Sequence, residues 1–282
     1  MSKSYEDQAA GLRRLMTSPQ PRILSIISAA QTRQSRLMTN LAASICCDGS
    51  DVLIVQTKPY ATDVELKAPL VDFINEPVDT DKMSITMPEG YSMAALLHQN
   101  QDTLLDDNTN NQLNLLFSKL AMEFQIVLVE TALNEDQKLP LKILNESQIV
   151  IQLTSQPEDI KQAYQIIKQI AFQHLASNIG KRPPLGILVT ETNEAKAKLV
   201  YQNISQVAKR YLKLDLDFIG VIPQDESLSS AAKLGRSVIN VFPMAQATAA
   251  FKSIASKLDY RTNLPSNLPF SSNSYPLYEG SI

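Results

Sequence analysis

The stretch ILSIISAAQTRQSRLMTNLAASI, residues 23–45, decides the fold. An apolar run is followed by a polar loop and then by apolar residues at helical spacing, the layout of a strand, a turn and a helix. That layout is the one found at phosphate-binding corners of α/β sheets. The loop itself, Ser28 to Arg36, contains neither glycine nor lysine. It therefore lacks the residue that lets a backbone approach a phosphate closely and the residue that neutralises one.

Outward from this corner, strands and helices alternate. RILSII predicts a strand and RLMTNLAASICC the helix after the loop. DVLIVQT predicts a strand, PLVDFIN a short helix, MSITMP a short strand and MAALLHQN another helix. NNQLNLLFSKLAMEF has apolar positions at helical spacing. QIVLVET and SQIVIQLT are near-continuous apolar runs, as expected of parallel strands buried on both faces. PEDIKQAYQIIKQIAFQHLA opens on Pro157 with acids in its first turn, a good helix start. PLGILVTE and LDFIGVIPQ predict strands, and NEAKAKLVYQNISQVAKRYL the helix between them. LSSAAKLGRSVINVFP and MAQATAAFKSIASKLD predict closing helices. The alternation predicts an α/β fold with one doubly wound, mainly parallel sheet over residues 21–260. Residues 1–20 form a separate helix and linker in this division. Residues 261–282, rich in Ser, Asn and Pro with few charges, predict a disordered tail.

Composition bounds the chemistry. The 282 residues carry a net charge of −3 and no basic block, which argues against nucleic-acid binding. Cys46 and Cys47 are adjacent, cannot build a disulfide framework, and fall in an apolar helical pattern that expects them buried. The only two histidines, His98 and His174, have no Cys, Asp or Glu at ligand spacing, so no metal site is expected. No apolar run approaches the ~18 residues of a membrane-spanning helix. The start of the chain lacks the apolar core of a signal peptide. A cytoplasmic location is expected.

The order of elements resembles the MinD/ParA family of deviant-Walker P-loop ATPases, of the SIMIBI class. Within it, DQAAGLRRL, residues 7–15, is similar to the DQAxxLR helix of the FlhG group of flagellar-number regulators, also called FleN or YlxH. FQIVLVETAL, SQIVIQLTSQPEDIKQAYQIIKQI and LDFIGVIPQDESLSSAAKLGRSVINVFPMAQATAAF resemble later segments of the family. The family loop is K-G-G-x-G-K-[ST]. By that resemblance the first lysine falls on Ala30, the glycines on Gln31, Thr32 and Gln34, the second lysine on Ser35 and the magnesium-binding hydroxyl on Arg36. The family's D-x-D carboxylates fall on Gln56 and Lys58. Its next carboxylate is kept, as Glu130, and its base-contacting asparagine falls near Thr190. Phosphoryl transfer depends on positioned charge, so these departures imply a pseudo-ATPase with ATP and magnesium binding lost, and no cofactor. Arg33, Arg36 and Lys58 are either an anion-attracting trio or solvated surface.

Residues 4–16 predict an amphipathic helix, with Ser4 as cap and Ala9, Leu12, Leu15 and Met16 as its stripe. Such a stripe packs on its own domain or on a partner. The resemblance favours the partner. It implies an FlhF-like SRP-type GTPase seated by Asp7, Ala9, Leu12 and Arg13, with Gln8 acting toward the GTP site as a GTPase activator. Other flagellar basal-body or regulatory proteins are further partners by the same resemblance. The tail offers no basic amphipathic face, so no autonomous membrane binding is expected. The alternatives are an active MinD/ParA-type ATPase and a positioning adaptor unrelated to flagella.

Overall fold

Eight strands form one sheet in the order β3-β4-β2-β5-β1-β6-β7-β8. The strands are β1 (Arg22–Ser28), β2 (Val52–Gln56), β3 (Ile85–Thr86), β4 (Ser92–Ala95), β5 (Ile126–Thr131), β6 (Gln148–Leu153), β7 (Leu185–Thr190) and β8 (Asp217–Ile222). All pairings are parallel except β3 with β4. This computed structural model describes residues 20–30, 35–58, 66, 68–76, 79–101, 104–176 and 183–258. The expected helix over 4–16 and the expected tail over 261–282 lie outside the described residues.

The sheet is buried on both faces, which is why its central strands are apolar without alternation. Val127 and Val129 of β5 point to one side, where Phe117, Ile167 and Ile204 pack. These come from α2 (Asp107–Ala121), α3 (Pro157–Ala176) and α4 (Glu194–Leu212). Ile126 and Leu128 point to the other side, with Leu41, Ile45 and Phe251. Those belong to α1 (Ser35–Cys47) and α7 (Gln246–Leu258). Each such large side chain contributes roughly 1.5–3 kcal/mol on full burial.

Helix starts follow their side chains. Asp106 Oδ1 accepts from Thr109 N at 3.0 Å at the start of α2, and Asn193 Oδ1 from Lys196 N at 2.9 Å at the start of α4. Pro157 takes the first position of α3, where its missing N–H costs nothing.

Three sequence expectations need correction. MAALLHQN contains no helix: Ser92–Ala95 is β4, paired in parallel with β2, and all four residues are buried. Their helical propensity is overridden by the tertiary pairing. LSSAAKLGRSVINVFP is not one helix but α5 (Glu226–Lys233) and α6 (Val238–Val241). Gly235 breaks it at φ +64°, and Arg236 N returns to Ala231 O at 3.1 Å, a glycine-centred helix end. Cys47 is exposed and Cys46 only half-buried, because the last turn of α1 reaches the rim of the core. Burial pushes the Cys46 thiol up to about 11, with a smaller contribution from Cys47. His98 has an acidic partner that lies far outside any ligand spacing. Its Nε2 lies 2.8 Å from Asp72 Oδ1, a residue 26 positions away that sequence spacing cannot reveal.

One buried amide joins the helix after the corner to the closing segment. Asn40 of α1 accepts from Val238 N at 2.7 Å and donates to Arg36 O at 2.6 Å. Asn40→Ala leaves Val238 N without its acceptor. It is expected to cost about 1–3 kcal/mol, measured by denaturant unfolding; a midpoint and slope equal to wild type would refute this role.

Candidate functional site

In an open α/β sheet the strands' C-terminal ends form the natural site, because buried faces leave no room for polar groups elsewhere. Here that edge carries Ser28, Gln56, Glu130, Gln152 and Thr190, each at or next to the last residue of its strand. β1 lies between β5 and β6, so the corner that opens the sequence sits at the centre of this edge.

The polar side chains bind one another. Gln56 and Glu130 are register partners across β2 and β5, and Gln56 Nε2 donates to Glu130 Oε2 at 2.9 Å. Both are buried, with 1% and 3% of their surface exposed. Thr57 Oγ1 reaches Glu130 O and Thr131 Oγ1, each at 3.1 Å. On the other side of the centre, Ser28 Oγ donates to Gln152 Oε1, and Gln152 Nε2 donates to Thr190 Oγ1 at 2.9 Å. Ala29 N donates to Gln152 O at 2.7 Å and Ala30 N to Ser28 Oγ at 3.2 Å, which fixes the chain as it leaves β1.

Beside this ladder is a cavity of about 460 Å³. Arg36, Asn40, Gln152, Thr190, Glu191 and Asp225 supply its polar wall, while Leu37, Ile222, Leu228 and Phe251 supply apolar surface. Glu191 holds φ +59°, uncommon for a residue with a side chain, and its N–H donates to Ile222 O at 2.8 Å. Asp225 is committed to structure. Its carboxylate accepts from Ser227 N at 2.9 Å, at the start of α5, and from Ala247 N at 3.0 Å, in the first turn of α7. The Ala247 and Ser227 amides hold its carboxyl below the usual carboxylate range.

Of the expected pocket residues, the fold brings Gln56 and Glu130 together. It places Ala30, buried, at the end of β1 and Arg36 at the cavity wall, with Thr190 also in that wall. Lys58 is half-buried just past β2 and does not line the cavity. Gln31, Thr32 and Gln34, the side chain of Ser35, and Arg33 lie outside the described residues, as do Asp7, Gln8, Ala9, Leu12 and Arg13. Sequence reading missed Asn40, Gln152, Glu191 and Asp225. Only Asp225 carried a signal, an acid between a strand and an apolar helix.

At the end of β2 stands an amide, Gln56, which donates to the Glu130 carboxylate. Among the described residues no three His, Cys, Asp or Glu side chains are grouped to hold a metal ion. No helix among them is long and apolar enough to cross a membrane.

No protein-family model matches the chain. It is 26% identical over 149 residues to the antiactivator FleN of Pseudomonas aeruginosa, and the match spans 51% of this chain and 49% of FleN. Among solved structures it is similar to a chain of the MinC:MinD cell division protein complex of Aquifex aeolicus, with TM-score 0.62, 17% identity and coverage of 86% of this chain and 98% of that one. The cell division ATPase MinD of Pyrococcus furiosus gives TM-score 0.61 and 13% identity, over 84% and 98%. A ParA family ATPase from Chlorobium tepidum gives TM-score 0.60 and 16% identity, over 84% and 98%.

Asp225→Ala removes a cap shared by α5 and α7 and is expected to cost about 1 kcal/mol at pH 7. A depressed carboxyl contributes stability above its unfolded value and loses it as pH falls through the folded one. The gap between variant and wild type in denaturant melts is therefore expected to close in strong acid; a gap of constant size would show that the charge is not the cause. The chain has the MinD/ParA-type P-loop fold, and the half of its sequence that finds a curated relative is similar to FleN.

Proposed function

We propose that this chain is a FlhG/FleN-like regulator of flagellar number or placement that works by binding proteins rather than by hydrolysing ATP. The observation that carries the proposal is the similarity to FleN, joined to the DQAAGLRRL stretch at residues 7–15. Because the match spans about half of FleN, the activity and the partners belong to the proposal. In this reading residues 1–20 form a partner helix that engages an FlhF-type SRP GTPase, and residues 21–260 are the scaffold that carries it. Gln8 acts on the partner's GTP site, while Asp7, Ala9, Leu12 and Arg13 seat the helix. An amide at that place orients the attacking water, as glutamines do in other GTPases.

The loop supports the absence of turnover. Ala30, Gln31, Thr32, Gln34, Ser35 and Arg36 supply neither the glycines nor the lysines of a phosphate cradle, and Gln56 with Lys58 supplies no second carboxylate pair. Titration calorimetry with ATP and magnesium is expected to give no measurable heat of binding. A micromolar dissociation constant, about −8 kcal/mol, would return the domain to the ATPases.

The partner contact has its own test. A peptide of residues 1–20 is expected to stimulate GTP hydrolysis by the cognate FlhF-type GTPase. Gln8→Ala should abolish most of the stimulation with little change in affinity. Leu12→Ala should weaken binding by roughly 1–3 kcal/mol if the leucine is buried in the partner. A peptide that neither binds nor stimulates would remove the main support for the flagellar reading.

A further inference from the structure

The geometry points to Gln56 as a built-in clasp: its amide ties the C-terminal end of β2 to β5 through Glu130 and holds this edge in one arrangement without a ligand. The inference rests on reading the domain as a ligand-independent scaffold.

A carboxylate as buried as Glu130 needs donors, since an unpaired buried charge is costly. Gln56 provides one without adding a second charge, and it does so from the position directly opposite in the register. The use of the amide is one-sided. Its Nε2 is engaged, while its Oε1 is buried with no hydrogen-bond partner among the described residues. The side chain is thus placed for donation to Glu130, at the expense of its own acceptor. Backbone bonds extend the tie in both directions. Thr57 N donates to Glu130 O at 3.0 Å, Leu96 N to Gln56 O at 2.8 Å and Leu97 N to Thr57 O at 3.1 Å. The end of β2 is therefore held from β5 on one side and from the residues after β4 on the other. The titratable groups nearest in sequence to these elements' ends are Glu130 itself, Lys58 two residues past Gln56, His98 three past β4 and Glu135 four past β5.

Gln56→Leu deletes the donor, and Gln56→Glu replaces it with a second carboxylate of the same size. Each change disfavours the charged form of the buried carboxyl, so the stability lost is expected to be larger where that carboxyl is ionised than where it is protonated. In thermal melts of the full chain at pH 8, each variant is expected to melt about 4 °C or more below wild type. The gap should narrow toward pH 5, because protonation removes the charge that the Gln56 amide serves. A variant that folds at pH 5 but not at pH 8 is the same result in stronger form. Wild-type melting in either variant across this range overturns the clasp. So does a gap of constant size, or failure to fold at both values, since either means only lost packing. Gln56→Glu carries the test if Gln56→Leu does not fold. Wild-type protein with and without Mg·ATP tests the scaffold reading separately: a raised melting temperature would sink that reading whatever the variants do.

Discussion

Burial of both faces of the sheet is the constraint on which everything else depends. Leu24 and Ile26 of β1, and Val127 to Val129 of β5, have no exposed surface, so no polar side chain is tolerated along the strands without a partner. Polar chemistry is confined to the strand ends. There Gln56 meets Glu130, and Ser28, Gln152 and Thr190 form a chain of donors and acceptors. Most of these side chains pair with one another, with Gln56 Oε1 left without a partner among the described residues. The apolar strand residues that hold the sheet and the polar side chains at its edge are separate sets of residues.

That separation connects the fold to the proposed role. A scaffold for a partner helix needs a rigid body and no reaction of its own. The Asn40 bridge between α1 and α6, and the Asp225 cap shared by α5 and α7, tie the elements around the cavity to one another. Both residues line the cavity. Under the proposed function the domain keeps its shape through these contacts, and specificity lies in the residues at the start of the chain.

Much of this was legible before any coordinates. The unbroken apolar runs of β5 and β6 announced central parallel strands, and Pro157 with its two acids marked the start of α3. Gln56 and Glu130 sit at the ends of β2 and β5, where the unbroken register pairs them. What failed was decided by tertiary contact. Ser92–Ala95 has the local character of a helix and becomes a strand because β2 offers a ladder to pair with. Glycine at 235 was visible in the sequence, and its helix-ending role was overlooked. The pairings of His98 with Asp72, Asn40 with Val238 and Gln152 with Ser28 and Thr190 join residues dozens to nearly two hundred positions apart, which no local pattern encodes.

The most direct measurement is amide hydrogen exchange of the wild-type protein with and without Mg·ATP, followed over residues 22–58 and 126–131. If the edge is held by its own side chains, the two exchange profiles are expected to coincide, with slow exchange through β1, β2 and β5 in both. New protection at the corner after β1 and at the ends of β2 and β5 on adding nucleotide would show that a ligand still organises this edge, and would contradict a self-contained scaffold.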